Sequence, residues 1–166
     1  MNERPITIAK IRTGIVIDHI AAGKAYLITQ MLGLNALARE TGDIIAIGIN
    51  FESPSLGRKD IIKVENLCLT RDMLNVVALI APVATITRIE EGQVIEKHKV
   101  EPPATVGDIV LCPDRFCITN HEQVPGKFAV VKRDPLTLRC HYCETEFFGP
   151  LIRYKEKSSL FPLRNA

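Results

Sequence analysis

Apolar and polar residues alternate along the first hundred positions in segments of two periods. From Ile6 to Ile11 apolar side chains are interrupted by Thr7 and Lys10, which predicts a strand. Gly14 breaks the pattern, and Ile15–Ile20 follows as an apolar run carrying Asp18 and His19 side by side. Gly23–Leu34 places Leu27, Ile28, Met31 and Leu32 at helical spacing, with Gly33 as C-terminal cap. Asp43–Phe51 predicts a second strand with Ile45, Ile47 and Ile49 on one face. A turn at Ser53–Gly57 leads into a third strand over Lys59–Leu69. Thr70 is placed to cap a helix, Asp72 sits in its first turn, and Met73, Val76, Val77 and Ile80 form its apolar stripe until Pro82. Ala84–Glu90 and Gln93–His98 read as two strands around Glu91-Gly92. The order strand, helix, strand, strand, helix, strand, strand predicts an α+β fold. Its first part is a ferredoxin-like α/β sandwich, two helices on one face of an antiparallel sheet.

Glu101-Pro102-Pro103-Ala104 ends this pattern as a stiff, extended connector. The expected organisation is a first domain over residues 1–101, a small second domain over 102–150, and a basic tail over 151–166. The tail sets Arg153, Lys155, Lys157 and Arg164 against Glu156 and is expected to be a solvated terminus. The second domain is predicted to be all-β, with strands at Phe128–Lys132 and Leu136–Cys140 around Asp134-Pro135. Its expected core is Ile109, Val110, Leu111, Ile118, Phe128, Val130, Leu138 and Phe147.

Four of the five cysteines fall in this second part as two clips, Cys112-x4-Cys117 and Cys140-x2-Cys143. Each clip turns two sulfurs toward one point, which is the spacing of a tetrahedral four-cysteine zinc site of ribbon-like type. A pair of disulfides and unconnected core cysteines are the competing readings. No leader sequence is visible, so a reducing cytoplasm is the expected compartment and thiolates are favoured over disulfides. Four sulfurs leave no open coordination position, so one zinc per chain is expected to hold structure and to do no chemistry. His141 stands inside the second clip and is a poor rival to the sulfurs on either side of it. So small a core implies that metal binding and folding are coupled.

Composition narrows the function classes. The chain is 46% apolar and 24% charged over 166 residues, which describes a globular protein. A net charge of +2 and the absence of tryptophan argue against a nucleic-acid surface, and no apolar run is long enough to span a membrane. No nucleophile-elbow, zincin or phosphate-loop motif is present. Strand alternation sends Asp18 and His19 to opposite faces, which speaks against a catalytic dyad. Cys68, in the predicted third strand, reads as core. Lys63 and Glu65 share the face opposite Ile62 and Val64, and Lys97 lies in the last strand of the first domain. Lysines on one sheet face suit a polyphosphate, whereas a plain solvated strand face is the simpler reading of the pattern alone.

Four stretches carry a resemblance. G-I-V-I-D-H-I (Gly14–Ile20), G-R-K-D-I-I-K-V-E-N (Gly57–Asn66), A-P-x-A-T-I-x-R-I (Ala81–Ile89) and the cysteine set, in this order, resemble the regulatory chain of aspartate carbamoyltransferase from about Ile6 to about Phe147. The resemblance implies a non-catalytic subunit of pyrimidine biosynthesis. Its first domain would bind CTP or ATP as effectors, and its zinc domain would dock onto the catalytic chain. Regulatory dimers would then link catalytic trimers. Carried over by position, Asp18 and His19 would meet ribose and phosphate, Lys63 the ribose region, and Lys97 the triphosphate. Val16 and Val94 would line the site, and the backbone at Ile11 and Ile89 would meet the base. Tyr142 and Glu144 match the docking edge. Thr87 and Gly92 depart from the family's usual asparagine and aromatic residue. Thr145, Asp114 and Phe116 depart from its docking edge. The alternative from another class is a zinc-ribbon nucleic-acid-binding protein with the basic tail on phosphate.

Overall fold

The computed structural model describes Ile8 and residues 10–155. They belong to two compact units, one up to Val100 and one from Glu101. Half of the predicted Ile6–Ile11 strand (Ile6, Thr7 and Ala9) lies outside the described residues, and Ile8, Lys10 and Ile11 belong to no strand.

The first unit runs β1 (Gly14–Ala21), α1 (Ala25–Met31), α2 (Leu34–Thr41), β2 (Ile45–Ser53), β3 (Gly57–Glu65), α3 (Arg71–Ile80), β4 (Thr85–Glu90) and β5 (Gln93–Lys99). The sheet order is β2-β3-β1-β4-β5 with every neighbouring pair antiparallel. The first four strands have the ferredoxin-like order, and β5 extends the sheet beyond β4. Strand parity divides the side chains. Ile15, Ile17, Ile62, Val64 and Ile86 are buried, together with Ala25, Ile28 and Met31 of α1 and Val76, Val77 and Ile80 of α3. Val16, Lys63 and Glu65, from the alternate positions, take the other, open face. Burying each large aliphatic side chain contributes roughly 1.5–3 kcal/mol.

Two helices stand where the periodicity predicts one. α1 ends at Met31, the chain turns through Gly33 at φ 66°, and α2 continues to Thr41. The apolar positions Leu34, Leu37 and Ala38 of α2 keep helical spacing, but they follow a glycine that reads as a helix stop, and only Leu34 is buried. α3 is as expected: the Thr70 hydroxyl accepts from the Met73 amide at 3.3 Å, and Asp72 complements the helix dipole in the first turn. β3 stops at Glu65, short of Leu69, because Asn66 takes a positive φ of 52°. Cys68 therefore lies outside the strand and is exposed, which corrects its placement in the core. On the sheet-edge strand β2, Ile47 and Ile49 face solvent, joined by Ile44 just before the strand.

Two contacts fix the sheet where the open face begins. Gly14 lies so close to β3 that a Cβ there would stand 2.1 Å from the Val64 carbonyl oxygen. Asp60 on β3 is fully buried and accepts the Ala25 amide at 3.0 Å and the Asn50 amide at 2.9 Å. It thereby ties the start of α1 and the bulge of β2 to one strand.

The second unit has β6 (Thr105–Val106), β7 (Val110–Leu111), β8 (Phe128–Arg133), β9 (Leu136–Cys140), β10 (Glu146–Phe148) and β11 (Arg153–Tyr154). They form a four-stranded sheet in the order β10-β9-β8-β6 and a two-stranded ribbon of β11 and β7. Val106, Val110, Phe128, Leu136, Leu138 and Phe147 are the buried apolar side chains, with Phe128 and Phe147 edge to face at 5.7 Å. Leu111 and Ile118, expected in this core, are 36% and 41% exposed. The cysteines take the interior instead. Residues 151–155, expected in the tail, are built into the unit. Tyr154 pairs with Val110, the Lys155 amide donates to the Ile109 carbonyl at 2.9 Å, and the Lys155 ammonium is bonded to Asp108. Burial pushes the Tyr154 phenol up to about 12. Glu156, Lys157 and Arg164 lie outside the described residues.

Candidate functional site

The four sulfurs of Cys112, Cys117, Cys140 and Cys143 lie within 4.8 Å of one another. Cys112 and Cys143 approach to 3.5 Å and Cys117 and Cys140 to 3.7 Å, so each close pair joins one clip to the other. A disulfide needs about 2.05 Å, and all four thiols are free. A tetrahedron with sulfur bonds of about 2.3 Å sets its corners roughly 3.8 Å apart, so the cluster fits one metal ion with the donor set of a structural zinc. Local hydrogen bonds shape the first clip. The Cys117 amide donates to the Asp114 carbonyl at 3.1 Å, and the Asn120 side chain donates to the carbonyls of Cys112 and Asp114 at 3.0 and 2.7 Å. In the second, the Glu144 amide closes on the Cys140 carbonyl at 3.1 Å, and Glu144 takes a positive φ of 59°.

Burial pushes the Cys112 and Cys140 thiols up. Cys117 is held down to about 7 despite the same desolvation, because the Thr119 hydroxyl donates to its sulfur at 3.2 Å. Metal binding would release the remaining protons, since the thiolate is the ligand. His141 is not part of the cluster.

In the first unit, strand register brings the predicted effector residues together on the open face. Val16 pairs with Lys63 on one side and Thr87 on the other, and Thr87 pairs with Lys97. The row Lys63–Val16–Thr87–Lys97 therefore crosses four strands on one face. A second row sets Gly14 beside Ile89 and Ile89 beside Val94. A third sets Asp18 beside Thr85 and Thr85 beside Lys99. Ile11 is buried and belongs to no strand, so no register places it in these rows.

Asp18 and His19 are closer than strand alternation allows. The pairing of β1 with β3 shifts register between Ile17 and Ile20, and His19 takes a positive φ of 57°. Its amide donates to the Asp18 carboxylate at 2.7 Å, and its Nδ1 stands 3.5 Å from the same group. The expectation that the two residues point apart is thus corrected by a bulge. The Lys59 ammonium reaches the Asp18 carboxylate at 2.9 Å. Burial would raise the Asp18 carboxyl, but Lys59 and the His19 amide outweigh it and hold it below its usual range. The Lys63 ammonium donates to the Ile8 carbonyl at 3.1 Å. A cavity of about 500 Å³ opens at the end of this face, between His19, Leu56, Thr85, Lys97 and Lys99. Lys59, Thr85 and Lys99 belong to this face and are missed by sequence reasoning. The period-2 parity of the last two strands is the available signal for Thr85 and Lys99.

Tyr142 is 41% exposed beside the second clip, with its hydroxyl on the Pro125 carbonyl at 3.3 Å, and Glu144 is exposed. Phe116, in the first clip, is 75% exposed under the Arg115 guanidinium at 4.6 Å.

The chain matches two family models: "Aspartate carbamoyltransferase regulatory chain, allosteric domain" over residues 6–101, and the metal binding domain of the same chain over 104–150. It is 45% identical to the aspartate carbamoyltransferase regulatory chain of Pyrococcus furiosus over 84% of its own length and 90% of the relative's. The corresponding protein of Staphylothermus marinus is 44% identical over 83% of this chain and 84% of the relative. Two successive domain matches, together with a four-cysteine cluster inside the second, establish that the chain belongs to the family of aspartate carbamoyltransferase regulatory chains.

Proposed function

We propose that this regulatory, non-catalytic chain binds nucleotide effectors, CTP or ATP, on the open sheet face of its first unit. Through its second unit it docks onto the catalytic chain, so that regulatory dimers link catalytic trimers in the cytoplasm. The observation that carries the effector reading is the row Lys63–Val16–Thr87–Lys97, with the Asp18–Lys59 pair beside it. It offers cations for phosphate, a carboxylate for ribose hydroxyls and an apolar neighbour for the base. The base would lie toward Ile89 and Val94, with Lys63 at the ribose and His19 and Lys97 at the phosphates. The exposed Ile44, Ile47 and Ile49 at the β2 edge support dimer formation, because an unpaired apolar edge favours a partner. The exposed Tyr142 and Phe116, one in each cysteine clip region, support docking through the second unit, with Glu144 beside the second clip. An effector changes such an assembly only through different affinities for its states, and the coupling is typically about 1–3 kcal/mol and reciprocal. The family assignment leaves the zinc-ribbon nucleic-acid reading without support.

Calorimetric titration of the zinc-loaded chain with CTP, repeated on Lys97→Ala, tests the effector reading. Saturable binding that weakens about tenfold in the variant is expected for loss of a charge-assisted contact. An intact fold that binds neither CTP nor ATP would refute it.

A further inference from the structure

We infer that the C-terminal strand β11, with Lys155 after it, is a clasp on the first cysteine clip that sets how firmly Cys112 stays on the metal. Such a clasp is independent of the effector and docking roles. β11 also lies beyond the match to the metal binding domain, which ends at residue 150.

The four sulfurs are not held alike. Cys117 and Cys140 are 2% and 1% exposed, Cys112 is 6% exposed, and Cys143 is half-buried. Cys112 and Cys143, the close pair at 3.5 Å, therefore form the open edge of the cluster. Cys140 ends β9, which lies between β10 and β8 inside the four-stranded sheet. Cys112 follows β7, a strand of two residues that pairs, among the described residues, with β11 alone. So short a ladder is marginal by itself. Whatever holds β11 down therefore holds the entry to Cys112 in place.

Arg153 pairs with Leu111, the residue before Cys112, and Tyr154 pairs with Val110, which is buried. Next in line, the Lys155 amide donates to the Ile109 carbonyl at 2.9 Å, and its ammonium is bonded to Asp108. The same Asp108 carboxylate accepts the Gly126 amide at 2.7 Å. Gly126 stands just before β8, whose Phe128 pairs with Cys140. Lys155 thus closes a path of contacts from the strand that delivers Cys112 to the strand that delivers Cys140. The same segment meets the second clip from its other end. β10 sets Glu146 beside Arg139, the residue before Cys140. The chain then turns back through Gly149 at φ 56° and reaches β7. Residues 146–155 therefore span the strands that supply one sulfur to each clip. Groups that hold metal ligands in position typically change metal affinity 10–100-fold when they are lost. Without the clasp, Cys112 would sit at the end of an unpaired segment, free to open locally while the sheet around Cys140 stays closed.

The test compares the zinc-loaded full chain with Lys155→Pro, which removes both the amide and the ammonium, Lys155→Met, which removes the ammonium alone, and Lys155→Arg. Leu138→Ala, in the core beneath the sheet, is the control for a general loss of stability. Competition with a chromophoric chelator is expected to show zinc held about tenfold less tightly in Lys155→Pro. The loss should be smaller in Lys155→Met and restored in Lys155→Arg. Alkylation with iodoacetamide, read by mass spectrometry, locates the opening, with the exposed Cys68 as the reference for complete labelling. In Lys155→Pro, Cys112 should label ahead of Cys117 and Cys140, whereas Leu138→Ala should expose all four ligands together. Parent-like zinc affinity in Lys155→Pro would overturn the proposal. So would joint labelling of the four cysteines in that variant, which would reduce its effect to loss of stability. Should Lys155→Pro fail to hold zinc at all, Lys155→Met carries the comparison, and parent-like affinity and labelling there would overturn the clasp.

Discussion

The two units of this chain solve the same problem with different materials. The first packs aliphatic side chains of the sheet, among them Ile15, Ile17, Ile62 and Val64, into a core shared with Val76, Val77 and Ile80 of α3. The second has a short list of buried apolar side chains around Phe128 and Phe147, and its interior is shared with Cys112, Cys117 and Cys140. Where apolar area is scarce, coordination bonds take over the role of packing. The comparison teaches that one chain contains one unit whose stability is spread over many contacts and one whose stability is concentrated at a point.

Removing the metal should separate them most sharply. A structural zinc supplies on the order of 10 kcal/mol, so chelation, or Cys140→Ser, is expected to unfold the second unit while the first keeps its fold. Limited proteolysis read by mass spectrometry checks this, and cleavage spread equally over both units would contradict it. Ile62→Ala makes the reverse cut. It should cost the first unit roughly 2–5 kcal/mol in denaturant titration and leave zinc retention in the second unit untouched.

Smaller effects sharpen the contrast inside the first unit. Thr70→Ala removes a helix cap and should cost about 1 kcal/mol, a small loss because other contacts hold α3. The Asp18–Lys59 pair gives a pH signature. The Asp18 carboxyl titrates lower in the folded chain than in the unfolded one. Its contribution is therefore present above about pH 4 and is lost as the pH falls through the folded value. Lys59→Gln should flatten that acid limb, measured as the first unit's unfolding midpoint against pH. An acid limb unchanged in the variant would place the dependence elsewhere.

Legibility in the sequence follows the range of the interaction that decides each feature. α3 is set by neighbours within one turn, a capping threonine and an apolar stripe, and it is found where the pattern puts it. The cysteine clips are likewise local, and their sulfurs meet. α2 has helical spacing of its own in Leu34, Leu37 and Ala38, but Gly33, which reads as the stop of one helix, also starts the next. The bulge that returns His19 to Asp18 depends on the register of β1 against β3, strands joined through two helices and another strand, and alternation rules read across it fail. Lys99 joins the open face by the same kind of pairing between strands. Hydrophobicity alone places Leu111 and Ile118 in a core, but beside the clips it is Cys112, Cys117 and Cys140 that are buried and these two that stay exposed.

Asp60 shows what a buried acid imposes on its surroundings. Its two oxygens each accept one backbone N–H, from Ala25 and from Asn50. An asparagine would keep the shape but turn an NH2 group toward one of those amides, donor against donor. A leucine would leave both amides without an acceptor, at about 1–3 kcal/mol each. The corner where α1 starts and β2 bends thus accepts neither the isostere nor the apolar substitute. In hydrogen exchange those two amides, each at an irregular point of the backbone, should be as slow as the centre of the sheet.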